Sequence, residues 1–333
     1  MFNFGWQCTT ITGYDTLKSS NLYAFVFERS FSLTSKKVAF IVQMSAVGTE
    51  SMRTLQEYLL NNTSILHFGC FPERPKQLFD GACIALSIIL CDRAERGERL
   101  VYGSGVSRTT DEGRPSLFSS LSYIEIPRSS FLPDYYLFPK YKSQIEIGII
   151  QKLFKDRPII RYTTSVASKN AISYRTAGGR YWKIVLNRPF ATESTSNKTK
   201  YISHEISSNA LVAILNSNLL WWYYVNYFDL YNFKDYMIFN FCYSIKEDVA
   251  ELDKLGKQLM ESFESHKVVN TQYIKSKQKE SIFESFNPQL SKEIIDQIDK
   301  VLARHYHFSE QELDYIINYD IKYRMGDSST ETE

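Results

Sequence analysis

The sequence predicts an α/β fold over its first third, an α+β region in the middle and a helical segment at the C-terminal end. Apolar residues at helical spacing alternate with continuous apolar runs over residues 14–90. Short strand-like runs broken by Pro and Gly fill residues 117–245, and charged sequence of helical period fills residues 246–325. A hydrophobic content of 44% and a charged content of 23% are typical of globular domains.

Five elements are predicted in the first third of the chain. They are a helix over 14–34, a strand over 36–44, a helix over 48–62, and strands over 64–71 and 82–90. Their order is typical of an α/β domain with a mixed sheet, and only half of such a sheet is present. We expect this domain to end near residue 95.

The remaining chain divides by composition into three parts. Residues 96–245 form the second predicted domain, which begins with an exposed connection as far as residue 116 and contains a polar loop over 190–205. Residues 246–325 are predicted to be helical, with Ser309 and Glu312 as a capping box for the last helix. Residues 326–333, "GDSSTETE", are predicted to be a disordered tail.

Several functional classes are excluded by simple features. The five cysteines form no CxxC pair and no zinc spacing, and a net charge of +2 gives no strong basic field. The start "MFNFGWQCTT" is not a signal peptide, and no run of 18 uncharged apolar residues is present. We therefore expect a soluble cytoplasmic protein that does not enter a membrane.

Phe79 precedes the turn signal Asp80-Gly81 and the apolar run of the third predicted strand. Its ring either closes the end of the core, as most buried phenylalanines do, or lies at the lip of the sheet for a ligand to contact. Phe71, at the end of the preceding strand, is the second aromatic candidate in this region.

The stretch "RTAGGRYWK" (175–183) combines basic and aromatic residues around two glycines. It places Arg175, Arg180 and Lys183 around a Gly-Gly hairpin, with Trp182 and a tyrosine between them. Arginine can bind guanine with two hydrogen bonds, and glycine allows close approach of the backbone. An exposed hairpin with solvated charges explains the same pattern.

Two other patterns favour structural roles. "WWYY" (221–224) could stack bases, but its helical spacing with neighbouring leucines is more typical of a core. His305 and His307 lack an acidic partner at helical spacing, so no metal site is predicted.

Four stretches in this order resemble the C-terminal part of gamma-class adenine-N6 DNA methyltransferases, in particular the large type IIG restriction-modification enzymes. They are "NLYAFVFERSFSLTSKKVAFIVQMS", "FPERPKQLFDGACIALSIIL", "LVAILNSNLLWWYYVNYFDLYNFKD" and "IDQIDKVLARHYHFSEQELDYIINYDIKYR". The resemblance implies the last strands of an S-adenosylmethionine-binding sheet in residues 1–95. It further implies a DNA target recognition domain in 96–245 and a helical C-terminal segment.

Two motifs of that family are absent from the chain. There is no Gly-rich turn after a first strand, and the nine prolines include no Pro-Pro dipeptide, so the Asn/Asp-Pro-Pro-Tyr/Phe tetrapeptide is missing. "VYGSGVS" (101–107) follows the sheet and does not open it. The resemblance implies S-adenosylmethionine as cofactor, but the chain offers no residue that we expect to bind it.

By the resemblance, Phe79 matches the aromatic that stacks on a base flipped out of the duplex, with Phe71 as the alternative. Arg74 and Lys76 in "ERPK" are then expected to contact phosphates beside that base. In the hairpin, Arg175, Arg180, Trp182 and Lys183 are expected to contact double-stranded DNA.

Three functions remain open at this stage. The chain is a fragment or subunit of a site-specific adenine-N6 methyltransferase that acts only with an N-terminal half; or a sequence-specific DNA-binding module without catalysis; or an inactive remnant of a split gene. We expect the chain by itself to be inactive. We also expect the strand over 38–44 to be an unprotected sheet edge with two apolar faces, which seeks a strand from another chain.

Overall fold

The computed structural model describes residues 12–93, 99–178, 182–274 and 278–324. These residues form two compact units. Unit 1 comprises Met1–Gln144 with Tyr227–Asp229, and unit 2 comprises Ile145–Asn226 with Leu230–Glu333. The expected tail over 326–333 lies outside the described residues.

Unit 1 is a mixed α/β unit, as the sequence predicts. It contains α1 (Leu22–Leu33), β1 (Lys37–Gln43), α2 (Ser45–Gly48), α3 (Arg53–Asn62), β2 (Ile65–Phe71), β3 (Leu86–Asp92), β4 (Leu100–Val106) and β5 (Ile124–Glu125). The strands form one sheet in the order β1-β3-β2-β4-β5. Strand β3 is antiparallel to both β1 and β2, β4 is parallel to β2, and β5 is antiparallel to β4.

One face of the β1 end of this sheet is buried under α1. Phe27 of α1 stacks on Phe40 with ring centroids 4.4 Å apart, and Val38 and Val42 are buried on the same side of β1. On the other side of the strand, Ala39 is exposed and Ile41 is 52% exposed. Only one of the two apolar faces predicted for this strand is therefore covered within unit 1.

The sheet extends beyond the limit predicted for the first domain. Strand β4 lies in the stretch expected to be an exposed connection, and its pairing with β2 carries the sheet past residue 95. Two glycines and a serine in β4 conceal its strand character, and Gly105 has a φ of 73°. Strand β3 begins at Leu86 and not at residue 82, because the preceding residues form a turn.

A short return of the chain completes unit 1. The Tyr227 hydroxyl donates to the carbonyl of Ser130 at 2.5 Å and accepts from the Tyr141 hydroxyl at 2.7 Å. A Cβ at Gly48 would lie 2.9 Å from the carbonyl carbon of Phe228, so only glycine fits beside that backbone.

Unit 2 contains the remaining elements. They are α4 (Gln144–Leu153), β6 (Thr163–Thr164), β7 (Ala171–Arg175), β8 (Val185–Leu186), β9 (Asn197–Ile202), α5 (Ser208–Leu215), α6 (Asn218–Tyr227), α7 (Asp235–Phe239), α8 (Val249–His266), β10 (Val268–Ile274), β11 (Lys279–Ser285), α9 (Lys292–Tyr306), α10 (Glu310–Asn318) and α11 (Ile321–Arg324). Four strands form a sheet in the order β6-β9-β7-β8, and β10 and β11 form an antiparallel pair.

The core of unit 2 surrounds α5 and α6. The four residues 221–224 are at most 3% exposed, which confirms the core interpretation of "WWYY". Gly256 of α8 allows close contact with α5, since a Cβ there would lie 1.9 Å from the carbonyl oxygen of Asn209. Among the described helices, none is long and apolar enough to cross a membrane.

Two sequence-based expectations in unit 2 are wrong and one is confirmed. The stretch expected to be a polar loop over 190–205 contains β9, which pairs with β6 and β7. The segment expected to be helical from 246 contains the β10–β11 hairpin. The capping box is present: the Ser309 hydroxyl accepts from the Glu312 N–H, and the Glu312 carboxylate accepts from the Ser309 N–H.

Candidate nucleic-acid interface

The loop that joins β2 to β3, residues 72–85, presents Phe79 to solvent. We call this segment the lip loop. Phe79 is 43% exposed, whereas its neighbour Leu78 is 5% exposed. Gly81 adopts a φ of 79° and forms the predicted turn directly after Asp80. The ring of Phe79 is therefore open to contact by another molecule.

Other side chains close the core beneath the lip loop. Phe71, Leu78, Leu86 and Leu117 form a buried hydrophobic cluster there. Phe71 is 2% exposed, and its ring meets that of Phe118 edge-on at 5.8 Å. Because its ring is buried, Phe71 is not accessible for stacking on a base. Phe79 is therefore the only one of the two candidates that is exposed.

Ion pairs and backbone contacts fix the lip loop to residues 107–114. Arg114 donates to both carboxylate oxygens of Asp80, at 2.8 and 3.4 Å, and this interaction holds the pKa of Asp80 below its ordinary value. Arg108 donates to the carbonyl oxygen of Arg74 at 3.2 Å. Each exposed pair contributes little free energy, but together they restrict where Phe79 can lie.

The two cations predicted to contact phosphates differ in availability. The Lys76 ammonium lies 3.0 Å from Asp111, so part of its charge is already compensated. The Arg74 guanidinium is half-buried and makes no hydrogen bond or ion pair with a described residue. Arg74 is consequently the better-placed of the two for a phosphate.

The hairpin residues predicted to contact DNA separate into two groups. Arg175 is exposed at the end of β7, and Arg180 lies outside the described residues. Trp182 is 9% exposed, stacked parallel to Trp221 with ring centroids 6.2 Å apart, and Arg324 covers its ring. A tryptophan packed in this way holds the fold, so Trp182 is not available to DNA.

Lys183 is also buried, at 6% exposure. Its ammonium donates to the carbonyl oxygens of Gly178 and Tyr231, the latter at 3.0 Å, and lies 5.1 Å from the centre of the Tyr224 ring. These partners satisfy the charge inside unit 2. The expectation that Lys183 contacts DNA is corrected to a structural role.

One exposed basic residue of the same sheet was missed in the sequence, and its side chain lies on the face opposite to that of Arg175. Lys198 of β9 is paired with Tyr174, next to the pair formed by Asn197 and Arg175. Its side chain is 53% exposed and its ammonium lies 3.2 Å from Asp235. The alternation in "NKTKYI" was the available signal.

His305 serves as a structural link. Its Nδ1 lies 2.9 Å from Asp248 and its Nε2 lies 2.5 Å from Asp156, and the imidazole is fully buried. The ring also stacks on Tyr243 with centroids 4.5 Å apart. These contacts join α9 to the start of α8 and to the segment after α4.

Comparison with solved structures finds proteins of similar fold, three of which are restriction-modification enzymes or complexes with DNA. The type IIL restriction-modification enzyme MmeI in complex with DNA has a TM-score of 0.47 and 9% identity, over 89% of this chain and 51% of that chain. The DrdV–DNA complex has a TM-score of 0.32 and 9% identity, over 74% of this chain and 40% of that chain. The ATP-dependent type ISP restriction-modification enzyme LlaBIII bound to DNA has a TM-score of 0.34 and 12% identity, over 78% of this chain and 29% of that chain.

This chain thus spans about half the length of the first of these proteins, and less than half the length of the other two. At such TM-scores the likeness says nothing about activity. No family model matches the chain, and no curated protein matches it.

Proposed function

We propose that the chain is a DNA-contacting component of a restriction-modification system. More specifically, we propose a subunit or fragment of a site-specific adenine-N6 methyltransferase that supplies one wall of the pocket for the flipped base and the target recognition domain. The observation that carries this proposal is the exposed ring of Phe79 on a loop fixed at both sides by residues 107–114.

A flipped base needs an aromatic face that is already in place before the base arrives. Stacking of a base on an aromatic ring contributes about 1–3 kcal/mol. A ring that packs in the core cannot contribute this energy, whereas Phe79 leaves almost half of its surface open. Leu78 and Phe71 fill the core beneath it, so Phe79 is not needed there.

Two arginines carry the proposed contacts to the duplex. Arg74 stands in the same loop as Phe79, where a phosphate next to an extruded nucleotide would be held. Arg175 is exposed at the end of β7 in unit 2, and we propose that it contacts a base or a phosphate. Lys198 lies on the opposite face of the sheet, beside Tyr174, and its ammonium is paired with Asp235, so it does not add to the charge of Arg175.

Methyl transfer needs groups that this sequence does not contain, and we propose that a further polypeptide segment or a partner subunit supplies them. The sequence has neither the Gly-rich turn nor the Pro-Pro tetrapeptide, so the S-adenosylmethionine site and the groups that hold the target amine must come from elsewhere. Exposed apolar residues of unit 1 support a partner of this kind. Leu22 and Leu33 of α1 are 67% and 72% exposed, and Val26 between them is 46% exposed.

The test is to combine the chain with a polypeptide that carries the two missing motifs and to measure methyl transfer to duplex DNA. In the active combination, Phe79→Ala should lower base flipping about 5- to 150-fold, which corresponds to the loss of about 1–3 kcal/mol of stacking. Fluorescence of 2-aminopurine at the target adenine reports the flip. Stability should change little because the ring is partly exposed.

Phe118→Ala is the matched control, since Phe118 is 53% exposed and contacts the same core cluster through Phe71. Equal loss of flipping in both variants would assign Phe79 a merely structural role. A Phe79→Ala chain that loses several kcal/mol of stability would do the same.

The second candidate is a DNA-binding module without catalysis, which the exposed Arg175 favours. Sequence-selective binding by the chain alone, which weakens with salt as phosphate contacts require, would distinguish it from the methyltransferase component. An inactive remnant would neither bind DNA selectively nor restore methylation with any partner.

A further inference from the structure

We infer that two copies of this chain pair through β1 to form a symmetric dimer with one continuous sheet. Within the described ranges, β1 is hydrogen-bonded on one side only, to β3. The other side is an open strand edge, at which backbone groups await a partner. This inference uses only the geometry of β1 and does not rest on the proposed function.

The backbone hydrogen bonds define which groups face the open side. The Met44 N–H donates to the carbonyl of Ala85 at 2.9 Å, and the Arg93 N–H donates to the carbonyl of Lys36 at 2.8 Å. Because successive residues of a strand point their backbone groups to opposite sides, even-numbered residues from 36 to 44 face β3. The N–H and C=O groups of Lys37, Ala39, Ile41 and Gln43 therefore face outward.

One antiparallel register satisfies all of these outward groups in two identical strands. With Phe40 opposite Phe40 of the second copy, Ala39 lies opposite Ile41 and Lys37 lies opposite Gln43. Each of these pairs joins two outward-facing residues, as a hydrogen-bonded antiparallel pair requires. A shift by two residues leaves groups unpaired at both ends of the ladder.

Charge and side-chain contacts agree with the same register. The lysines at the start of the two strands lie at opposite ends of the ladder, each facing a neutral glutamine, and Lys37 is already 3.3 Å from Asp92 of its own chain. No proline and no charge interrupts residues 38–42. Ile41, now 52% exposed, would be covered by Ala39 and Ile41 of the second copy.

Symmetry explains why the strand that pairs with the open edge of β1 is β1 of a second copy. Antiparallel pairing of a strand with itself is isologous, so both open β1 edges are used in one contact and assembly stops at two. The paired Ile41 and Ala39 side chains would join the partly exposed Ile88 and Leu90 of both sheets in one apolar surface. A strand of different sequence would have to match this register by chance.

Analytical ultracentrifugation of the full chain at tens of micromolar is the first test. We expect a dimer that dissociates on dilution, and we expect Ile41→Lys to raise the dissociation constant at least about tenfold, because the two like charges would lie diagonally across the two-fold axis and each would replace an apolar contact. Val166→Lys is the control, since Val166 is 69% exposed in unit 2 and should leave the dimer unchanged.

Hydrogen exchange provides the second readout. The outward amides of Ala39, Ile41 and Gln43 should become protected as concentration rises, in step with the dimer. A clean monomer at tens of micromolar would overturn the inference. Protection that does not depend on concentration, or larger aggregates that persist in Ile41→Lys, would overturn it too. Because no DNA or cofactor is needed, failure here leaves the proposed function untouched.

Discussion

Lys140 is a buried cation without a hydrogen-bond acceptor among the described residues. It is 1% exposed, and its ammonium makes no hydrogen bond there. Burial lowers its pKa to about 8, although the nearby Cys70 and Asp229 act in the opposite direction. A residue of this kind opposes folding at neutral pH, because folding must either bury the charge or release the proton.

Lys140→Met should therefore stabilise the protein at pH 7, by on the order of 3 kcal/mol. In the wild type the folded pKa of about 8 lies below the unfolded value of 10.5, so the unfolded state binds more protons between these values. Stability should rise from pH 8 towards pH 10.5, and this rise should vanish in the variant. Urea unfolding across this pH range measures both effects.

Lys169→Met is the control for that prediction, since Lys169 is exposed and its loss should change stability by little at any pH. A Lys140→Met protein that is less stable than the wild type at pH 7 would show that the ammonium has a compensating partner.

For single residues, the sequence predicts positions that depend on local turns but not burial that depends on distant contacts. Phe79 could be placed beside a turn from Asp80-Gly81 alone, because turn chemistry is local. The burial of Trp182 and Lys183 could not, because it depends on Trp221 and Tyr231, which lie about 40 to 50 residues further along the chain. Distant contacts of this kind leave no pattern near the residue itself.

At the scale of elements, the N-terminus of α6 is capped by a carboxylate from another helix. Asp299 of α9 accepts hydrogen bonds from the N–H groups of Asn218 and Leu219, at 3.1 and 3.0 Å, and from the Asn218 amide at 2.7 Å. These bonds satisfy donors that α6 itself cannot pair. Burial raises the pKa of Asp299 to about 7, against the lowering effect of the same hydrogen bonds and of Arg324.

Asp299→Ala should cost about 2–4 kcal/mol, because two buried backbone N–H groups lose their acceptor. The raised pKa has a further consequence: between pH 3.8 and about 7 the folded state binds more protons than the unfolded state. Wild-type stability gained from this group should then fall as pH rises through that range, and the variant should lack the trend. Thermal unfolding followed by circular dichroism between pH 4 and 8 measures it.

Asp296→Ala, one turn earlier on α9, is the matched control. Its carboxylate lies 3.4 Å from the Asn218 amide and pairs with Lys292 near the surface, so its loss should cost less than about 1 kcal/mol. Similar losses in both variants would mean that α6 does not depend on the Asp299 cap.

Elements with continuous apolar runs or local caps were predictable from the sequence. Strands β1 and β2 are mostly apolar and were found close to their true limits, and the α10 capping box was found from two residues. Strands β4 and β9 escaped prediction because glycine or lysine replaces the usual apolar residues. Their strand conformation is specified by pairing with β2 and β7, which no local pattern records.

At the scale of the molecule, the chain by itself should bind S-adenosylmethionine weakly or not at all. The Gly-rich turn whose backbone would approach the cofactor is absent from the sequence. Isothermal titration calorimetry of the chain with S-adenosylmethionine should show a dissociation constant well above micromolar. Micromolar binding, or methyl transfer by the purified chain, would contradict this.

The return of residues 227–229 to unit 1 has a consequence for biosynthesis. The unit that begins at the N-terminus obtains the Tyr227 hydroxyl contact, and the backbone that lies against Gly48, only after all of residues 145–226 have been made. At ordinary rates of translation this interval is about 4–16 s. Throughout it, the sheet of the nascent chain lacks the contacts of residues 227–229. The nascent chain is thus exposed to chaperones, or to a neighbouring nascent copy, for far longer than the order of its strands alone would suggest.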